Sequence, residues 1–343
     1  MTRNSGRLLS GAAAINEAIR ETMEIDQSVI IIGEDIAGGA GLGGKNEGSM
    51  GGSFGVTKGL LELFGPERVR DTPISEAAIA GVAVGAAAAG LRPIVDMMWS
   101  SFTPLAFDQI FNQAAKMRYM FGGQAKIPIV FRMAMGAGLG AAGQHSDTLY
   151  SIFTHIPGLK VVVPSSPSDA KGLLTASIAD DNPVLFFEHM GLYGMKQEVP
   201  AGAPTEIPLG EASVVRKGND ITIVAISMML HKALEAAEKL SEDSINAEVI
   251  DPRTLSPIDD NTIFKSVRKT GCLIIVDESP PRCSIATDIA ARVSEATFGE
   301  LKAPIKQITS PHTPVPLSPP LEKAYIPSVQ QIILTAKELL DSR

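Results

Sequence analysis

The run Asp71-Thr72-Pro73-Ile74-Ser75-Glu76 delivers a carboxylate to the start of an apolar segment, AAIAGVAVGAAAAG at 77–90. Ser75 is of the type that caps a helix, and Gly81-x-x-x-Gly85 with alanines on every face lets neighbouring backbones come close, so the helix is expected to be buried all round. Glu76 then stands at the mouth of a buried element. The plain reading is an acidic first turn that complements the helix dipole. The sharper reading is that a partly buried carboxylate needs a hydrogen-bond partner, that no basic residue is near in sequence, and that a ligand nitrogen fits. His145, one of five histidines, lies in Gln144-His145-Ser146-Asp147, in a loop leaving a strand. Functional groups of α/β sheets collect in such loops. A lone histidine is more often structural; in the catalytic reading, Asp147 two residues on is a candidate to orient its ring. Asp180, Asp181 and Asn182 end a helix before Pro183, an oxygen-rich turn that suits either a cation or a solvated helix end.

These groups need elements to hold them. Continuous apolar runs at 29–32, 94–98, 127–131, 160–163 and 184–187 read as central parallel strands covered on both faces. Helical segments at 12–23, 75–90, 103–119 and 168–179 alternate with them. After Glu188 the pattern weakens into a Gly- and Pro-rich stretch read as a linker. A second α/β series follows, with strands at 221–226, 247–250, 273–277 and 304–308, helices at 228–240, 260–270 and 284–298, a proline-rich segment, and a last helix at 328–340. The expected division is a first domain over 1–195, a linker over 196–210 and a second domain over 211–343.

Several functions are disfavoured. With 30 Lys and Arg against 38 Asp and Glu, a net charge of −8 and no long basic stretch, nucleic acid is an unlikely partner. Cys272 and Cys283 match neither zinc spacing nor a disulfide framework, so the chain reads as reduced and cytoplasmic. The segment at 77–90, fourteen residues, is short of the roughly 20 needed to cross a bilayer. Gly39-x-Gly41-x-x-Gly44 and Gly136-x-Gly138-x-x-Ala141 are weak dinucleotide patterns, since no helix is expected to begin at the glycines. A nicotinamide-dependent oxidoreductase and a non-catalytic scaffold docking a partner helix on the 77–90 surface stand as the rivals.

DTPISEAAIAG at 71–81, FDQIFNQAAKMRYMFGGQ at 107–124, QHSDTLYSIFTHIPGLKVVVPSSPSDAKGLL at 144–174 and DNPVLFFEH at 181–189 together closely resemble the beta subunits of thiamine diphosphate-dependent 2-oxoacid dehydrogenases. DPRTLSPID at 251–259 and the proline segment at 311–320 also resemble this family, and the likeness runs from about residue 7 to residue 340. It implies an α/β fold: a pyrimidine-binding parallel-sheet domain followed by a transketolase C-terminal domain. It implies an α2β2 heterotetramer with thiamine diphosphate between alpha and beta subunits. The chain lacks the GDG…N motif with which such enzymes hold Mg2+ and diphosphate, so that half of the site is expected from the alpha subunit.

Carried onto this sequence, the resemblance implies that Glu76 hydrogen-bonds N1′ of the aminopyrimidine. That favours the imino form of the 4′-amino group, which can remove the C2 proton of the thiazolium. It implies that His145 lies at the active-site mouth, binding the reacting oxygen or donating a proton during transfer to the lipoyl group of an acyltransferase. Ile74 and Phe102 match cofactor contacts. Leu105 stands where some pyruvate-specific relatives have Gln, and QHSD stands where many relatives read QHSQ. Ile129, Ser177, Ile178, Asp180 and Asn182 correspond to a K+ site of carbonyl and side-chain oxygens. The stretch from 136 to 164 is nearest to acetoin dehydrogenase beta subunits, with pyruvate dehydrogenase beta subunits close behind, and Gln144 argues against branched-chain relatives. Acetoin is the expected substrate and pyruvate the runner-up.

Overall fold

A computed structural model describes residues 7–37, 51–200 and 206–342. The first glycine pattern, at 39–44, lies outside them. The chain divides into two units, Met1–Met135 with Phe153–Leu209 and Gly136–Ile152 with Gly210–Arg343.

In the first unit, strands β1 (Arg7–Ser10), β2 (Val29–Gly33), β3 (Val69–Asp71), β4 (Arg92–Trp99), β5 (Val130–Met135), β6 (Lys160–Val162), β7 (Val184–His189) and β8 (Lys196–Val199) form two sheets. The main one runs in the order β6-β7-β5-β4-β2-β3, with every neighbouring pair parallel. β2, β5 and β7 are buried along their whole length, which is why the stretches 29–32, 129–131 and 184–187 read as continuous apolar runs rather than alternating ones. β5 begins at Val130, later than its apolar run suggests, because Pro128 has no N–H to give a ladder. Ile129 nevertheless joins the sheet margin, its carbonyl accepting from Val184 N at 2.9 Å.

The helix Gly11–Ile25 packs against Pro167–Ala179. Ser10 and Ser166 cap their N-termini, accepting from Ala13 N and Asp169 N. The segment expected as one helix over 103–119 is instead three pieces. A tight 3₁₀ stretch spans Ser100–Ala106, wide π turns span Gln109–Ala114, and an α-helix spans Ala115–Met120. Pro104 sits inside the first of these and cannot donate to a regular helical ladder. The stretch expected to be a linker contains the helix Met190–Gly194 and then β8, which pairs antiparallel with β1.

The expectation that the 77–90 helix is buried all round is corrected. The helix spans Glu76–Ala88 and buries Ile79, Ala80, Ala83, Val84 and Ala87. Ala78, Gly81, Val82, Gly85 and Ala88 face outward. A helix of alanine, glycine and valine has nearly the same hydropathy on every side, so composition cannot tell a wholly buried helix from one with a bare apolar face.

In the second unit, β9 (Ser213–Arg216), β10 (Ile221–Ala225), β11 (Ala247–Asp251), β13 (Leu273–Asp277) and β14 (Lys306–Thr309) form a sheet in the order β14-β13-β10-β11-β9, while β12 (Thr254–Ser256) takes no place in it. Only β9 is antiparallel to its neighbour. The core joins Ile223, Val249, Ile274 and Val276 of the strands to Leu230, Ala233 and Leu240 of Met229–Glu242 and to Ile332, Ala336 and Leu339 of Val329–Asp341. Ser328 opens the last helix with a capping box to Gln331. Among the described residues, no helix is long and apolar enough to cross a membrane.

Candidate active site

In a parallel α/β sheet, ligands gather beyond the carboxyl ends of the strands. At that end of β2 and β3, Thr72 N donates to Gly33 O at 3.0 Å, and Ala37 N donates to Asp71 Oδ1 at 2.6 Å. The chain then runs through Ile74, 74% exposed, to the helix at Glu76. Ser75 occupies the N-cap position, but with φ −168 its side chain makes no capping bond. Glu76 is half-buried, and among the described residues its carboxylate has neither an ion pair nor a hydrogen bond. Nearby, Thr72 Oγ1 is a buried polar atom without a partner. The helix packs against Ser100–Ala106, the turn after β4 that carries half-buried Phe102 and exposed Leu105. Ile74 and Glu76 thus follow the end of β3 and Phe102 the end of β4, with β2 between the two strands.

This strand end is acidic. Burial pushes the Glu34 carboxyl up, and the charges of Asp35, Glu76 and Asp96 push it further. Glu76 therefore stands near the Glu34 carboxylate and, among the described residues, has no basic partner of its own. Beneath lies a buried charge network. Arg132 on β5, with 2% of its side chain exposed, donates to Glu188 Oε1 at 2.9 Å and Oε2 at 2.6 Å and pairs with Asp96. Tyr193 Oη donates to Glu188 Oε2 at 2.7 Å and stacks on Phe54. Burial alone would weaken the Arg132 charge; Asp96 and Glu188 more than offset it, so the guanidinium stays charged. No local signal marks this network, because its members lie 36 and 56 residues apart.

The residues expected to hold a cation come together at one turn. Ile178 and Asp180 carbonyls accept from Arg92 Nη1 at 3.0 and 3.1 Å, and Arg92 also pairs with Asp181. The Asp180 carboxylate pairs with Lys160 and accepts from Asn182 N and Nδ2, each at 2.8 Å. Asn182 Oδ1 accepts from Arg118 at 2.7 Å. The Ser177 hydroxyl donates to Leu173 O at 2.7 Å. The side-chain oxygens are therefore committed to protein donors; of the backbone carbonyls, those of Ile178 and Asp180 accept from Arg92, and that of Ile129, at the margin of β5, accepts from Val184 N. Each carbonyl has two lone pairs, so those already accepting one hydrogen bond retain coordinating capacity.

His145 belongs to the second unit. It sits half-buried in a loop without helix or strand from Gly136 to Leu149, closed by Gly136 N donating to Ser146 O at 3.2 Å. No helix begins at Gly136-x-Gly138-x-x-Ala141, so the dinucleotide geometry is missing there. Ser146, 1% exposed, has a hydroxyl without a hydrogen-bond partner, an orphaned polar atom next to His145. Asp147 is half-buried in the same loop, and its charge acts on Tyr325, whose hydroxyl is pushed up to about 12 mainly by burial.

Residues 9–196 match the transketolase pyrimidine-binding domain and residues 210–332 the transketolase C-terminal domain. The chain is 55% identical over 97% of its length to the beta subunit of acetoin:2,6-dichlorophenolindophenol oxidoreductase from Cupriavidus necator, covering 98% of that protein. The Bacillus subtilis protein of the same description is 55% identical with the same coverage. The chain belongs to the family of acetoin and 2-oxoacid dehydrogenase beta subunits. Within that family, the pyruvate dehydrogenase E1 beta subunit of Rickettsia felis is 45% identical over 95% of this chain and 96% of its own. A solved split-gene transketolase, 20% identical, superposes with a TM-score of 0.76 over 97% of this chain and 98% of its own, which shows the fold. The family is one of oxidoreductases, and its two transketolase-type domains account for the paired parallel sheets.

Proposed function

We propose that this chain is the beta subunit of a thiamine diphosphate-dependent acetoin dehydrogenase, which cleaves acetoin and passes the two-carbon unit to a lipoyl group on an acyltransferase. The observation that carries the substrate is the higher identity to two acetoin-named relatives than to the pyruvate-named one. In this reading, residues 1–195 form the pyrimidine-binding domain, 196–210 the linker and 211–343 the C-terminal domain. An alpha subunit completes an α2β2 heterotetramer and holds Mg2+ and the diphosphate.

The carboxylate without a protein partner at Glu76 and the orphaned Thr72 hydroxyl fit an aminopyrimidine edge. Bound there, the coenzyme supplies a carbon nucleophile and an electron sink for carbon–carbon cleavage. Glu76 accepts or shares the proton of the ring nitrogen facing it. Ile74 and Phe102 give the ring apolar contact and exclude water. His145 binds the reacting oxygen or donates a proton as the two-carbon unit leaves for the lipoyl group. K+ taken up by the 177–182 carbonyls braces the sheet beneath.

The test is the complex co-expressed with its alpha subunit, assayed with acetoin and 2,6-dichlorophenolindophenol. Glu76→Ala is expected to lower turnover by at least about 10³-fold, within the range of a lost general acid–base group, with the heterotetramer still assembling. Turnover within threefold of the unmodified complex rejects the role given to Glu76. A kcat/KM for pyruvate above that for acetoin rejects the substrate.

A further inference from the structure

We propose that Glu322, assisted by Glu278, is a positioning residue for His145: buried carboxylates take the backbone N–H groups of the loop that carries it and so set where its imidazole stands. The inference rests on the catalytic role given to His145 above and goes beyond it by naming what holds that residue in place. The loop from 136 to 149 has no ladder of its own, so its buried N–H groups need acceptors from elsewhere. Glu278, just beyond β13, accepts from Ala137 N at 2.5 Å. Glu322, in the short helix Pro319–Tyr325, accepts from Gly138 N at 2.7 Å through Oε1. It accepts from Gly140 N through both oxygens, at 3.2 and 3.1 Å.

Both carboxylates are 4% exposed. Gly136, Gly138 and Gly140 have φ of +96, +114 and +68, conformations that L side chains rarely adopt and that turn successive N–H groups toward one side, as in an anion-binding nest. The loop's own ring closure, Gly136 N to Ser146 O, then fixes the residue next to His145. Ala137 packs with Val315, Tyr325 and Ile326, so the loop lies on the same segment that supplies Glu322.

A neutral acceptor would satisfy these N–H groups at less desolvation cost than a carboxylate. Among the described residues Glu322 makes no ion pair, so its charge is compensated by backbone dipoles alone. The carboxylate gives what an amide cannot: two equivalent acceptors, both of which it presents to Gly140. A Gln at 322 keeps Oε1 for Gly138 and Gly140 but sets an NH2 group against the Gly140 N–H in place of Oε2, which pushes that part of the loop away. A shift of about 1 Å in a reacting group costs roughly 10²-fold in rate.

The experiment is a double-mutant cycle on the assembled complex, with turnover of acetoin as readout. Glu322→Gln, which keeps side-chain volume, is expected to lower kcat by about 10–100-fold in the unmodified background and by less than twofold in a His145→Ala background. Glu322→Ala is expected to do the same with the larger loss. If Glu322→Ala does not fold, the cycle is decided by Glu322→Gln. Equal losses in both backgrounds, or no loss in the unmodified one, overturn the proposal. If His145→Ala itself turns over normally, it is the catalytic reading of His145 that fails, and the two failures are told apart by that single variant. Nicking of the 136–149 loop by a protease of broad specificity, faster in Glu322→Gln than in Glu278-intact, Glu322-intact complex, is the structural companion; equal nicking rates count against the clamp.

Discussion

Arg132→Leu should strongly destabilise the first unit. Its guanidinium is held by two bonds to Glu188, 2.9 and 2.6 Å, and by Asp96, and Glu188 has no exposed side-chain surface. Removing one member of a buried ion pair leaves the other uncompensated and costs about 3–5 kcal/mol. At roughly 2–4 °C per kcal/mol for a unit of this size, the melting temperature should fall by about 6–20 °C. Burial already pushes the Glu188 carboxyl up against the pull of Arg132. Without that pull, its folded pKa rises further above the unfolded value of about 4.3. A raised folded pKa means that stability is present below the unfolded pKa and is lost as pH rises through the folded one. The deficit of Arg132→Leu should therefore be small near pH 4 and full at pH 8. The double variant Arg132→Leu, Glu188→Leu removes the more deeply buried of the two stranded charges and should recover part of the loss, with Asp96 still lacking its partner and the Tyr193 hydroxyl, worth about 1–3 kcal/mol, lacking its acceptor. Scanning calorimetry across that pH range reads all of this. A drop under about 1 °C at pH 8, or a double variant less stable than Arg132→Leu, would refute the account of the network.

Gly158 has φ +97, and a Cβ there would lie 2.0 Å from the carbonyl oxygen of Ala115, a backbone atom that cannot swing aside. Gly158→Ala should cost about 2–5 kcal/mol from the strained backbone and the clash together, read as a lower denaturation midpoint in urea; an unchanged midpoint would show that the two segments move apart freely. If the carbonyls around Asp180 take K+, the melting temperature in potassium chloride should exceed that in choline chloride at equal ionic strength, because an ion bound only by the folded form adds stability that grows with the logarithm of its concentration above Kd. Identical melting in the two salts would remove the ion from the structure.

Much of the molecule was legible in its sequence. Strands buried on both faces announce themselves as unbroken apolar runs, as at Val29–Gly33, Val184–His189 and Leu273–Asp277. Serines 166, 284 and 328 mark helix starts by a local bond to a nearby N–H. The long motifs around Glu76 and His145 pointed to a coenzyme chemistry that spacing alone left open. Less visible were the three-residue strand Val69–Asp71 and the ribbon of β1 with β8, whose residues form strands only because a partner offers an edge.

Local signals of period, cap and turn depend on residues a few positions apart, and those the chain carries by itself. The bare face of the Glu76–Ala88 helix, the pairing of Arg132 with Asp96 and Glu188, and the reach of Glu322 across 184 residues to Gly138 depend on which distant segments meet. A buried charge is tolerable only where its partner has already been brought within hydrogen-bond range. Such pairs are decided by the tertiary fold, since nothing in the neighbourhood of either residue specifies the other.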